Sequence, residues 1–146
     1  MKTGEFHIAL DEKGRLLIPA RIRSEVRGNS LVLTRGIDRC LWAFSPDEWR
    51  DFSAQLMGAS SPLSKRGRLL QRRIIAPAQE VELDKAGRLN VPKPLQETAG
   101  LVKDTRLLVM ERYMEIWDAE AYQVYEQESE EELQEAAEEL GGLVSF

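Results

Sequence analysis

The chain has 146 residues, 42% of them apolar, with 20 Lys/Arg against 25 Asp/Glu and a formal net charge of −5. That length fits one ordinary domain or two very small ones, and the apolar share is enough for a core. Apolar runs such as Leu31-Val32-Leu33 and Leu107-Leu108-Val109-Met110 fall far short of the roughly 20 residues that span a bilayer, and Met1–Glu5 has no signal-peptide core, so a cytoplasmic protein without a membrane partner is expected. The single cysteine, Cys40, excludes an internal disulfide framework. With His7 as the only histidine, no metal site of the nitrogen/sulfur type is expected.

In chain order, Ile8 and Leu10 alternate with polar neighbours, the period of a half-buried strand. Asp11-Glu12-Lys13-Gly14 predicts a tight turn, with Asp at its first position and Gly in the left-handed one. Arg15-Leu16-Leu17-Ile18 returns as a second strand. Pro19 suits the start of a short helix and Gly28 its end. Strands are predicted near 31–35 and 40–44. Ser45-Pro46-Asp47-Glu48 is a capping box opening a helix with Trp49, Phe52 and Leu56 on one face. Gly58–Pro62 reads as a linker, and Lys65–Arg73, with five bases and no acid, as a short basic helix weakened by Gly67.

The pattern then repeats. Leu83-Asp84-Lys85-Ala86-Gly87-Arg88-Leu89-Asn90-Val91-Pro92 matches residues 10–19 at six of ten positions, 73 residues later. Val81 and Leu83 lead into this second turn, and Gly100 stops its helix. Pro94, a second proline two residues after Pro92, is expected to disturb that helix. Strands are predicted near 106–111 and 113–117, and Asp118 caps a helix bearing Tyr122 and Tyr125. Leu41-Trp42 and Ile116-Trp117 correspond, and both tryptophans read as core. Residues 126–140 are Glu-rich, with Leu133, Ala137 and Leu140 at helical spacing, before Gly141-Gly142. The expected organisation is a repeat over 5–52, a linker with the basic helix over 53–77, a second repeat over 78–123 and an acidic helix or tail over 124–146. Two copies make no solenoid, so a pseudo-two-fold module is expected.

Charge is unevenly spread. Residues 1–112 hold all 20 bases and 14 acids, a net +6; residues 113–146 hold 11 acids and no base, a net −11. A basic body attracts polyanions by releasing their counterions, which makes nucleic acid a candidate partner.

For catalysis, Asp11 and Asp84 occupy equivalent positions, as paired carboxylates would, but a shared proton needs them within a few ångströms. Each also fits its turn, accepting backbone N–H bonds two residues on, and precedes an arginine by four. The structural role is the stronger reading. No Ser/His/Asp or Cys/His set and no phosphate loop is present, so no catalytic residue, cofactor or enzyme activity is expected. Arg15 and Arg88 are different. An arginine just past a tight turn sits on a rigid tip, and its planar fork matches guanine or phosphate. Lys13, Lys85, Arg21, Arg23 and Lys93 lie near in sequence as candidate phosphate contacts.

With its doubled Asp-x-x-x-Arg signature, Asp11–Arg15 and Asp84–Arg88, the chain resembles the MraZ family over roughly residues 5–125. Thr98-Ala99-Gly100-Leu101 and Glu115-Ile116-Trp117-Asp118 add to the likeness. The resemblance implies a mainly β fold with short helices, a swapped-hairpin β-barrel of the AbrB type built from two tandem repeats. It also implies a bacterial DNA-binding transcriptional regulator, usually a repressor of the division and cell-wall gene cluster, acting on short G-rich direct repeats. A ring-shaped homo-oligomer, a nucleoid location, and Arg15 and Arg88 as DNA contacts follow from the same likeness. Ala86 opposite Lys13 departs from even use of the two turns. An antitoxin of the MazE kind, its acidic tail occupying a basic toxin, is the alternative within the same fold class.

Overall fold

The computed structural model describes residues 1–145. The strands are β1 (Gly4–Ala9), β2 (Arg15–Leu17), β3 (Ser30–Arg35), β4 (Leu41–Phe44), β5 (Gln79–Glu82), β6 (Arg88–Asn90), β7 (Asp104–Val109) and β8 (Met114–Asp118). The helices are α1 (Ala20–Glu25), α2 (Pro46–Ala59), α3 (Lys65–Leu70), α4 (Lys93–Ala99), α5 (Ala119–Glu128) and α6 (Glu130–Gly141), with a π-helical turn, Gln71–Ile75, after α3.

Six strands form an antiparallel sheet in the order β1-β7-β8-β4-β3-β5, while β2 and β6 form a separate two-stranded ribbon. Exchange the two repeats and the six-stranded order reads the same from its other end. Equivalent residues face each other where the pseudo-two-fold passes: Leu16 opposite Leu89, and Leu41 opposite Ile116. The first strand of each repeat pairs with the third strand of the other, Phe6 opposite Leu107 and Gln79 opposite Leu33. The sequence pattern reads as local hairpins, and here the structure differs. Within a repeat the two arms meet only at the bridges Leu10–Leu16 and Leu83–Leu89. A three-residue return strand has few N–H and C=O groups to pair, and they are satisfied across the repeats instead: Val91 N–H donates to the Gly14 carbonyl at 2.9 Å, and Ile18 N–H to that of Gly87 at 3.1 Å.

Two expectations are corrected. The barrel is not closed, because β1 and β5 are sheet edges with no strand outside them among the described residues. Nor is the chain mainly β: the helices are short, but α2, α5 and α6 add 14, 10 and 12 residues, giving a mixed α and β fold around a mostly antiparallel sheet.

The helix ends follow local chemistry. Ser45 Oγ accepts from Glu48 N–H at 3.2 Å and opens α2; Asp118 Oδ2 accepts from Ala121 N–H at 3.1 Å and opens α5. Gly100 ends α4 in the left-handed conformation, φ 63°, but α1 ends at extended Val26, short of Gly28. Pro94 leaves α4 intact, since it lies in the first turn, where N–H groups have no intrahelical acceptor. Gly67 has a packing reason in α3: Ser64 Oγ accepts its N–H at 2.9 Å, and a Cβ there would collide with the Ser61 backbone.

One core draws on both repeats. Leu16, Ile18, Ile22 and Leu31 meet Leu89, Val91, Leu95 and Leu107, all buried. Burying each such side chain contributes roughly 1.5–3 kcal/mol, so neither repeat has a complete core without the other. A smaller cluster holds Cys40, Leu108 and Trp117, with Trp42 against it. Burial, then the charges of Glu115 and Asp38, push the Cys40 thiol far up, so it packs as a protonated apolar group. Glu115 accepts from both indole N–H groups, Trp42 at 3.3 Å and Trp117 at 3.0 Å. His7 is exposed on edge strand β1. Every residue of α6 is exposed, and no helix among the described residues is long and apolar enough to cross a membrane.

Candidate nucleic-acid interface

The two Asp-to-Arg turns have the same geometry. In the first, Asp11 Oδ1 accepts the backbone N–H groups of Lys13 and Arg15, each at 2.9 Å, and Oδ2 accepts Arg15 Nε at 2.8 Å. In the second, Asp84 Oδ1 accepts the N–H groups of Ala86 and Arg88, each at 2.9 Å, and Oδ2 accepts Arg88 Nε at 2.8 Å. Gly14 and Gly87 complete the turns at φ 77° and 85°, where only glycine is unstrained. The Arg15 backbone N–H, then its guanidinium and the Lys13 N–H, hold the Asp11 carboxyl below the ordinary carboxylate range. Arg88 and Ala86 do the same for Asp84. Both carboxyls are therefore ionised turn anchors. A catalytic pair sharing a proton would have one member raised, and neither is.

Each aspartate uses only the Nε of its arginine. The terminal nitrogens of Arg15 and Arg88 have no hydrogen-bond partner among the described residues, leaving a free two-pronged donor edge on each. Strand pairing then orients them. Residues directly opposite in an antiparallel ribbon point to the same side, and so do residues two apart. Arg15 faces Asn90 and Leu17 faces Arg88, so these four share one side of the β2–β6 ribbon. Leu16 and Leu89 point the other way, into the core. The outer side keeps Leu17 and Asn90 exposed, with the two arginines between a quarter and two-fifths exposed. On the diagonal of such a ribbon, Arg15 and Arg88 lie about 7–8 Å apart at Cα.

The remaining cationic candidates divide. Lys13 and Lys85 are exposed on the turns, and Lys93 is exposed at the first residue of α4. Arg21 is not gathered into the site: its Nη2 donates to the carbonyls of Lys2 and Thr3 at 3.0 and 3.2 Å, and its guanidinium lies 5.0 Å from the Phe6 ring. Arg23 crosses to the other repeat and packs on Gly87. A Cβ there would lie 2.3 Å from Arg23 Nη1. Its sequence counterpart, Gln96, sits in the same way on Gly14. Reading of the residues alone passes over Gln96, although its offset of 73 from Arg23 was the available signal.

A recess of about 350 Å³ lined by Trp42, Phe44, Phe52 and Tyr113 lies away from all these cations. Among the described residues no group of three or more His, Cys, Asp or Glu is placed to hold a metal ion. The chemistry that the ribbon offers is recognition: forked, permanently charged donors on a rigid exposed edge, suited to phosphate oxygens or to the acceptor edge of guanine.

Comparison with known proteins agrees with this doubled architecture. A family model described as "MraZ protein, putative antitoxin-like" matches twice, over residues 1–73 and 74–142. The chain is 48% identical over 141 residues to a protein of Treponema denticola named transcriptional regulator MraZ, covering 97% of this chain and 98% of that one. A protein of the same name from Treponema pallidum is 45% identical, covering 97% and 95%. Another, from Lactobacillus helveticus, is 39% identical over 144 residues, covering 98% and 99%. The tandem match and these full-length likenesses establish that the chain belongs to the MraZ family.

Proposed function

We propose that this chain is a transcriptional regulator that binds double-stranded DNA through the outer side of the β2–β6 ribbon. The supporting observation is the pair of arginines on one exposed side, each oriented by its own aspartate with both terminal nitrogens free. Arg15 and Arg88 read base edges, while Lys13, Lys85, Arg23 and Lys93 contact phosphates. The protein works in the cytoplasm, on the nucleoid, as a repressor of the division and cell-wall gene cluster. One chain covers only a few base pairs, so several copies in a ring engage short G-rich direct repeats. Subunits related by rotation about a ring present the same edge in the same direction, which demands direct repeats rather than a palindrome.

Selection of bound duplexes from a random library, followed by titration at fixed salt, tests this reading. Arg15→Ala and Arg88→Ala should melt like the parent and each lose about 1–3 kcal/mol of discrimination between selected and scrambled duplexes. Failure to enrich any duplex, or undiminished discrimination by both variants, rejects it. The exposed acidic α6, together with the antitoxin-like wording of the family description, favours a second reading, in which α6 occupies a basic toxin. That reading requires a basic protein that copurifies with the full chain and is lost when α6 is removed.

A further inference from the structure

The two turns are alike in backbone and unlike in what the opposite repeat sets on them. Gln96 sits on Gly14 and Arg23 on Gly87, and a Cβ on either glycine would come within 2.3 Å of the seated side chain. Gln96 is internally satisfied, its Nε2 donating to the Val91 carbonyl at 2.8 Å. Arg23 is not. Its Nε is buried without a hydrogen-bond partner, and Arg23 has no carboxylate within ion-pair distance among the described residues. Arg35 and Arg106 also bury an unpaired Nε, but only Arg23 is seated on an Asp-to-Arg turn.

Charge sharpens the difference. In the first turn, Asp11 and Glu12 cancel Lys13 and Arg15, and the seated residue is neutral. In the second, Asp84 opposes Lys85 and Arg88, and seated Arg23 raises the excess to two positive charges. A guanidinium cannot shed its proton, so a partly buried one without an acidic partner is costly unless an anion completes it.

We propose that the second turn carries a phosphodiester-binding subsite built across the repeats from Arg23 and Lys85 on the Asp84–Arg88 turn, with Arg88 left to the base edge, and that the first turn has no equivalent of Arg23. The assignment rests on the DNA-binding reading above and adds an orientation to it. A chain with near two-fold symmetry in its backbone grips the DNA backbone more strongly at one end of its ribbon, so it sits on the duplex in one direction.

The test is the salt dependence of duplex affinity, measured by fluorescence anisotropy on a selected duplex with the full chain. Arg23→Gln installs the residue that its counterpart already uses, so it fits the seat. It should lower the slope of log affinity against log salt by about 0.9, one phosphate's worth, with base discrimination unchanged. Arg23→Lys should keep the slope, since a point charge suffices for counterion release. Adding Gln96→Arg to Arg23→Gln should restore the slope by moving the cation to the first turn. An unchanged slope in a folded Arg23→Gln overturns the proposal. If that variant does not fold, Gln96→Arg in the parent decides: a slope steeper by about 0.9 supports it and an unchanged slope overturns it. Loss of the DNA-binding reading looks different, because then the parent itself shows no salt-dependent duplex binding and both inferences fall.

Discussion

Replacing Gly87 by alanine puts the turn geometry and the cross-repeat seat under one measurement. Gly87 has φ 85°, a conformation in which a Cβ crowds the following carbonyl. The new Cβ would also fall 2.3 Å from Arg23 Nη1 and 2.6 Å from its Cδ and Cζ, so the side chain must leave its seat. Backbone strain of this kind costs about 1–3 kcal/mol. For a chain near 150 residues each kcal/mol lowers the melting temperature by about 2–4 °C, so the expected fall is about 2–12 °C in a calorimetric or circular-dichroism melt. Gly28→Ala is the reference: its φ is 78°, but nothing among the described residues lies within 4 Å of the added carbon, so it reports strain alone. The extra loss at Gly87 is the displacement of Arg23, and it should vanish when Gly87→Ala is made in an Arg23→Ala background. A parent-like melt for Gly87→Ala would refute the turn assignment. An equal loss with and without Arg23 would refute the seat.

Leu16→Ala and Leu89→Ala each remove a fully buried side chain from the ribbon's inner side and should cost about 2–5 kcal/mol, lowering melting by about 4–20 °C. Because the two leucines face each other, the double variant should depart from the sum of the singles; strict additivity would argue against their contact. The depressed Asp11 and Asp84 carboxyls stabilise the fold fully above their unfolded value of 3.8, and this contribution is lost as pH falls below 3.8 through their folded values. Asp11→Asn with Asp84→Asn should flatten that acid limb in a pH series of melts, and an unaltered limb would contradict the anchoring role. Truncation after Ser129 keeps α5 and removes α6, whose side carries no base to offset its glutamates. It should raise non-specific duplex affinity at low salt through lost repulsion, and an unchanged affinity would show that α6 does not oppose DNA.

What could be read without coordinates was local. The Asp-x-x-Gly-Arg spacing specifies a turn because an aspartate at that position reaches N–H groups two and four residues on, and only glycine relaxes at positive φ. The caps at Ser45 and Asp118 were legible for the same reason, as one side chain satisfies one nearby backbone group. The doubling at an offset of 73 also lay in the residues themselves. Pairing partners did not. Hydrophobic alternation says which side of a strand is buried but not against what, so β1 and β2 looked like a hairpin while the fold joins β1 to β7 and β2 to β6. Sheet closure was equally hidden, because it depends on whether the outer strands β1 and β5 find each other, a question of twist and reach across some seventy residues. The fates of Arg21 and Arg23 were settled only by tertiary structure. They lie two residues apart on one short helix, yet one is held by the Lys2 and Thr3 carbonyls and the other reaches the opposite repeat's turn, because successive helical positions point in different directions.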